Sequence, residues 1–124
     1  MRKIILSIFI FTIFTIFLTS CASQQTHKPV EGNDFKEFQI TARDFEFDPP
    51  TIEINKGDNV RLIVTSVDVP HGFSIPEYGI NERLDPGKPT TIEFLADKEG
   101  TFTSFCSVFC GSGHSNMKGK IIVK

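Results

Sequence analysis

Residues 106–117, Cys-Ser-Val-Phe-Cys-Gly-Ser-Gly-His-Ser-Asn-Met, put two thiols, an imidazole and a thioether into one short loop. No other stretch restricts the fold as much. Three residues separate Cys106 from Cys110, three separate Cys110 from His114, and two separate His114 from Met117. Side chains spaced this way converge only if the loop doubles back, and glycines at 111 and 113 permit such a path. Cys, His and Met are the soft donor set that favours copper, Cu(I) especially. Zinc rarely accepts a thioether, and a structural zinc site ordinarily wants four Cys or His ligands. One ligand is missing locally. The candidate is His71, far upstream in Val69-Pro70-His71-Gly72-Phe73. A fold that uses this loop must also carry His71 to it.

The chain from Phe35 onward reads as strands. Phe38, Ile40 and Ala42 alternate with polar residues, and Phe45 and Phe47 alternate before Pro49-Pro50. Ile52 and Ile54 follow the same rule, then Lys56-Gly57-Asp58-Asn59 turns into Val60, Leu62 and Val64. Residues 67–76 run out of that strand and through His71. Pro86-Gly87-Lys88-Pro89 marks a turn, Thr91 to Leu95 alternates again, and Lys98-Glu99-Gly100 turns toward Thr101–Phe105. Ile121-Ile122-Val123 closes the chain as a last strand. Period-2 alternation buries one face and wets the other, as in an antiparallel sandwich. After residue 34 no apolar period of 3.6 is sustained, so a long helix is not expected. Short strands separated by Gly/Pro turns predict an all-β sandwich.

The N-terminus has another character. Arg2 and Lys3 precede an almost unbroken apolar run from Ile4 to Leu18, short for a membrane span and suited to a signal segment. The run ends in Leu18-Thr19-Ser20-Cys21, which resembles the bacterial lipoprotein lipobox. That pattern implies cleavage before Cys21, lipid on its thiol and a domain outside the cytoplasm. An uncleaved anchor helix is the alternative, and it predicts the same compartment. Residues 1–20 are thus expected as signal peptide, 21–34 as a lipidated cysteine with a polar tether, and 35–124 as the folded domain. His27 belongs to the tether and is read as solvated.

With Cys21 assigned to lipid, Cys106 and Cys110 remain. In an oxidising compartment such a pair can be a disulfide. A disulfide explains neither His114 nor Met117, and it closes so short a loop that it would restrict the unfolded chain little. The chain is 124 residues long, which suits one folded domain, and its net charge is −2. Its basic residues form no long patch, which argues against a nucleic-acid partner. With 13 phenylalanines, one tyrosine and no tryptophan, the core is expected to be Phe-rich.

Cys-x3-Cys-x3-His-x2-Met with an upstream histidine resembles the binuclear copper (CuA) domain of cytochrome c oxidase subunit II and of nitrous oxide reductase. The resemblance runs from about Phe35 to the C-terminus and covers every copper-ligand position. A blue copper loop carries one cysteine rather than two. The resemblance implies a Greek-key β-sandwich of the cupredoxin type, with the ligand loop between the last two strands. It implies two copper ions bridged by Cys106 and Cys110, with His71 and His114 each ending one side. Met117 would be a weak axial ligand and the Val108 carbonyl would face the other copper. Phe105 and Phe109 are expected to shield the site, and Ser107 and Asn116 to make loop hydrogen bonds. The departures are specific. Many oxidase subunits carry a magnesium-binding glutamate where this chain has Val108. The tryptophan near the family's electron-entry patch is absent, and a lipid anchor stands in place of paired transmembrane helices.

On these residues the leading function is a membrane-tethered electron carrier, taking electrons from a c-type cytochrome or similar donor and passing them to a terminal oxidase or reductase. The alternative is a module that captures or delivers copper, although the Met- or His-rich flanks such modules use are missing. A metal-free interaction domain is a third reading. No general acid/base pair, nucleotide motif or other self-contained catalytic site is legible, so catalysis in an oxidase context would belong to another subunit.

Overall fold

The computed structural model describes residues 34–124. The expected signal peptide, the lipidation site Cys21, His27 and all of the tether but Asp34 lie outside the described residues. Nine strands lie among the described residues: β1 (Phe35–Arg43), β2 (Glu46–Asp48), β3 (Thr51–Ile54), β4 (Asn59–Ser66), β5 (His71–Ile75), β6 (Ile80–Leu84), β7 (Pro89–Leu95), β8 (Gly100–Phe105) and β9 (Lys118–Val123). Two single-turn 3-10 helices, Pro76–Tyr78 and His114–Asn116, are the helical elements among the described residues. One sheet has the order β2-β1-β4-β7 and the other β3-β9-β8-β5-β6. The chain passes repeatedly between the sheets, which gives the Greek-key sandwich of the cupredoxin type.

The alternating residues fill the space between the sheets. Ile40 and Ala42, Ile52 and Ile54, Val60, Leu62 and Val64, Ile92 and Phe94, and Ile121 and Val123 are all buried. Aromatic side chains lock the layers together: Phe47 meets Phe73 edge-on at 5.1 Å, and Tyr78 packs on Phe94 at 4.7 Å and Phe102 at 5.1 Å. Full burial of such a side chain stabilises by about 1.5–3 kcal/mol. On the wet face, Arg61 reaches Glu93 at 2.7 Å and Glu37 at 3.7 Å. Exposed pairs of that kind contribute roughly 0–1 kcal/mol, so the core rather than the ladder of charges holds the sheets.

The pairing is not wholly antiparallel. β1 runs parallel to β4, and β3 runs parallel to β9. Alternation reports which face is buried and says nothing about strand direction, so these pairs were not visible in the pattern. The parallel β1–β4 register has a positional consequence. Phe35 pairs with Asn59, whereas Ala42 pairs with Ser66, the residue that leads toward His71. The chain therefore enters the sandwich at the end away from His71.

Candidate metal centre

Register brings the distant histidine to the loop. β5 and β8 are antiparallel, with Ser74 opposite Phe105. Continued by two residues, that register sets Gly72 against Ser107, and His71 beside the chain that has just left β8. The approach needs a glycine: a Cβ at Gly72 would stand 2.7 Å from the Val108 nitrogen and 2.8 Å from the Ser107 nitrogen. Real side chains do not pack that close to backbone. With hydrogen there instead, the Gly72 N–H reaches the Cys106 sulfur at 3.4 Å.

The loop closes on itself by backbone bonds. Cys106 N–H donates to the Met117 carbonyl at 3.1 Å, His114 N–H to Gly111 at 3.1 Å, Asn116 N–H to Gly113 at 3.0 Å and Met117 N–H to His114 at 3.2 Å. This folds residues 106–117 into a compact turn that delivers the chain to β9. Met117 is fully buried beneath it.

Within this frame the sulfurs and imidazoles come together. Cys106 Sγ and Cys110 Sγ are 3.7 Å apart, and both cysteines are free thiols. His71 Nδ1 lies 3.8 Å from Cys106 Sγ, and His114 Nδ1 lies 3.7 Å from Cys110 Sγ. The Val108 carbonyl oxygen is 3.0 Å from Cys106 Sγ. His71, Cys106 and Cys110 offer ligand atoms that all fall within 4.8 Å of one another, a group able to hold a metal ion. Metal bonds to nitrogen and sulfur run about 2.0–2.3 Å for zinc, taken as a guide to size. Two donors about 4 Å apart can therefore share one ion. The donors present, two sulfurs and two imidazoles, fit copper in number, softness and spacing.

His71 is completely buried, Cys106 nearly so, and His114 is half-buried. Burial, together with the Cys106 sulfur, pushes the Cys110 thiol up to about 11. At neutral pH that thiol is protonated in the metal-free protein, and ligation must displace its proton.

Two residues that the sequence did not single out touch this site. Asp68 lies in the turn between β4 and β5. Its Oδ1 accepts from the Val69 N–H at 2.7 Å and stands 2.8 Å from His71 Nε2, while its Oδ2 accepts from the Asp44 N–H at 2.8 Å. Ser66 supports the same turn, its hydroxyl donating to the Val69 carbonyl at 2.5 Å. Burial would raise the Asp68 carboxyl, but the N–H groups of Asp44 and Val69, with His71, outweigh it and hold the group at about 2. The other residue is Phe45. Its ring lies on the glycines of the ligand loop: a Cβ at Gly111 would be 2.9 Å from Phe45 Cε1, and one at Gly113 would overlap the ring. These glycines thus serve packing as well as tight turning, and Gly111 also has φ 138.

Phe109, expected to shield the site, is 78% exposed and lies against it only through His114, its ring 5.6 Å from the imidazole. The loop turns it outward, and Phe45 from the β1–β2 turn covers the loop instead. Phe105 is half-buried at the end of β8.

Comparison with known proteins agrees with this architecture. The cupredoxin-like domain family matches residues 8–123. The nitrous-oxide reductase of Cupriavidus necator is 36% identical over 90 residues, which is 69% of this chain and 14% of that protein. Cytochrome c oxidase subunit 2 of Thermus thermophilus is 35% identical over 85 residues, 68% of this chain and 63% of the relative. The chain therefore spans less than two thirds of the length of these curated relatives. Among solved structures, a chain of a heme-copper terminal oxidase dimer superposes with a TM-score of 0.66 at 28% identity, covering 99% of this chain and 95% of that one. The periplasmic domain of cytochrome oxidase subunit II from Bradyrhizobium japonicum superposes with a TM-score of 0.57 at 32% identity, covering 60% and 54%. With a family match over nearly the whole chain and the double-cysteine loop between the last two strands, this chain belongs to the cupredoxin-like domain family, and its relatives include cytochrome c oxidase subunit 2 and nitrous-oxide reductase.

Proposed function

We propose that this protein is an extracytoplasmic, membrane-tethered electron-transfer domain that holds two copper ions. The observation that carries the proposal is the set of contacts His71 Nδ1 to Cys106 Sγ, Cys106 Sγ to Cys110 Sγ and Cys110 Sγ to His114 Nδ1, at 3.8, 3.7 and 3.7 Å. Two sulfurs in contact, each with its own imidazole, form a donor set with two equivalent halves. A single ion held by His71, Cys106 and Cys110 would leave His114 unused.

In this reading Cys106, Cys110, His71 and His114 would hold the copper, with the buried Met117 and the Val108 carbonyl as the further donors. Copper bound here supplies a one-electron couple. The protein's own contribution is rigidity. His71 comes from β5 and the other ligands from the β8–β9 loop, and both are fixed by sheet register rather than by a mobile arm. A ligand set that moves little between oxidation states makes the electron cheap to exchange, and the packing around it tunes the potential.

The relatives support a place beside a terminal oxidase or reductase, with a c-type cytochrome or a similar donor as the electron source. Val108 cannot supply the metal-binding carboxylate that many oxidase subunits use at the subunit contact, so any contact here uses other groups. The lipobox-like Leu18-Thr19-Ser20-Cys21 supports the membrane tether, with lipid on Cys21 as the anchor in this reading. No described helix is long and apolar enough to cross a membrane.

The test is copper stoichiometry on the protein reconstituted under reducing conditions. The expected result is two coppers per chain, retained against a moderate chelator. One copper per chain, lost readily to the chelator, would reject this reading and favour copper delivery.

A further inference from the structure

Asp68 joins two parts of the protein that the sequence keeps apart. One carboxylate oxygen takes the Val69 N–H and faces His71 Nε2; the other takes the N–H of Asp44 from the β1–β2 turn. That turn is unusual. Asp44 and Phe45 both have positive φ, 49° and 65°, a conformation that costs a non-glycine residue about 1–2 kcal/mol. Phe45 is the residue whose ring lies on Gly111 and Gly113. A strained turn persists when something over-determines it, and the hydrogen bond from Asp44 to Asp68 is such a tie.

We propose that Asp68 is a positioning residue with two simultaneous tasks: it sets the tautomer and orientation of His71, and it clamps the β1–β2 turn so that Phe45 stays pressed on the ligand loop. The proposal extends the reading of His71 as a copper ligand, but its geometry stands in the metal-free protein. An oxygen that already accepts from the Val69 N–H is an acceptor toward His71 as well, so Nε2 carries the imidazole proton. Nδ1 is then left with its lone pair facing Cys106 Sγ. Reversing the tautomer would aim an N–H at the sulfur and remove the donor. The second oxygen works on the opposite side of the loop. Releasing it frees the Asp44 N–H, the turn can relax out of its positive φ, and the ring lifts from Gly111 and Gly113.

The two tasks separate by substitution. In Asp68→Asn the amide carbonyl can still accept from Val69 and from His71 Nε2–H, because that orientation satisfies both donors. Its NH2 cannot accept from Asp44. Asp68→Ala removes both acceptors. The experiment is nuclear magnetic resonance on the full-length, metal-free, reduced protein at about pH 8.5, well above the ordinary histidine range near 6.5. It reads the His71 ring nitrogens and the amides of Gly111 and Gly113. The wild type should show the Nε2–H tautomer. Asp68→Asn should keep it while moving the two glycine amides in the same direction, and by a comparable amount, as Phe45→Leu does. Asp68→Ala should move the glycines likewise and lose the single tautomer. An Nδ1–H tautomer in the wild type would overturn the proposal. So would glycine amides unmoved by Asp68→Asn. If Asp68→Ala does not fold, the wild-type tautomer and Asp68→Asn still decide. Copper loading then separates this proposal from the one it extends. A wild type with the stated tautomer that binds no copper rejects the metal centre and leaves the positioning role standing. Loss of the clamp alone in a copper-loaded protein appears as a changed visible absorption spectrum in Asp68→Asn.

Discussion

At Gly72 the absence of a Cβ lets β5 touch the ligand loop. The group that Gly72→Ala would strike is backbone, the Ser107 and Val108 nitrogens, and cannot rotate away. Overpacking of this kind costs roughly 1–3 kcal/mol. We predict that Gly72→Ala lowers the denaturation midpoint accordingly and weakens copper retention, because His71 moves away from Cys106. An unchanged midpoint together with unchanged retention would contradict the contact. The thiols make a sharper case. Cys110→Ser should fold with near-native stability, since Cys110 is only half-buried, yet hold at most one copper, because one of the two thiols is lost. Metal analysis beside a thermal melt distinguishes that result from simple unfolding. Cys106, Cys110, His114 and Met117 stood out in the sequence by their spacing, and His71 by its place after Val69-Pro70; the fold brings His71 to the two thiols. Asp68 and Phe45 did not stand out. A lone aspartate before Val-Pro-His breaks no pattern, and Phe45 alternates with Phe47 as an ordinary strand residue would. Its ring reaches the loop from a turn of positive φ that the Asp44 N–H ties to a residue in a different turn.

Strands that bury one face wrote themselves into the sequence, as with Val60, Leu62 and Val64 of β4 against Arg61 and Ile63, only partly covered on the other side. β5 could not be read this way. All five of its residues, His71–Ile75, are buried, because β6 and β8 flank it and the ligand loop covers its start. β6, Ile-Asn-Glu-Arg-Leu, buries only its two ends and carries too little alternation to announce itself. The parallel partners of β1 and β3 depend on crossovers that no local pattern encodes. Turns between strands are also specified by charge. At the entry to β4, the Asp58 carboxylate accepts from Lys36 at 2.7 Å and from the Asn55 N–H at 2.7 Å. Lys36 first, then that N–H, hold its carboxyl below the ordinary 3.8. A lowered folded value means stability that is present above 3.8 and lost as the pH falls through the folded value. We predict that Asp58→Asn is less stable than wild type in urea at neutral pH, and that the two converge once the pH drops below that range. A difference that persists unchanged in acid would show that the charge plays no part.

On the scale of the whole molecule, the direction of β1 sets how the site is presented. Phe35 lies at the end of the sandwich away from His71, so an anchor at Cys21 would tether the domain by its far end. A tether over residues 21–34 reaches at most about 48 Å at ~3.4 Å per residue. The copper end would then be free to meet partners at some distance from the bilayer. Intact-mass analysis of membrane-extracted protein should show loss of residues 1–20 and added acyl mass; an unprocessed N-terminus would remove the lipid anchor from this picture. The exposed Phe109, beside His114, belongs to that same outward end. The proposed electron-transfer function rests on both histidines and both thiols acting together. The most direct measurement is the electron paramagnetic resonance spectrum of the oxidised, copper-loaded protein. A two-copper centre predicts one unpaired electron split by two equivalent copper nuclei. Splitting from a single copper nucleus would contradict it.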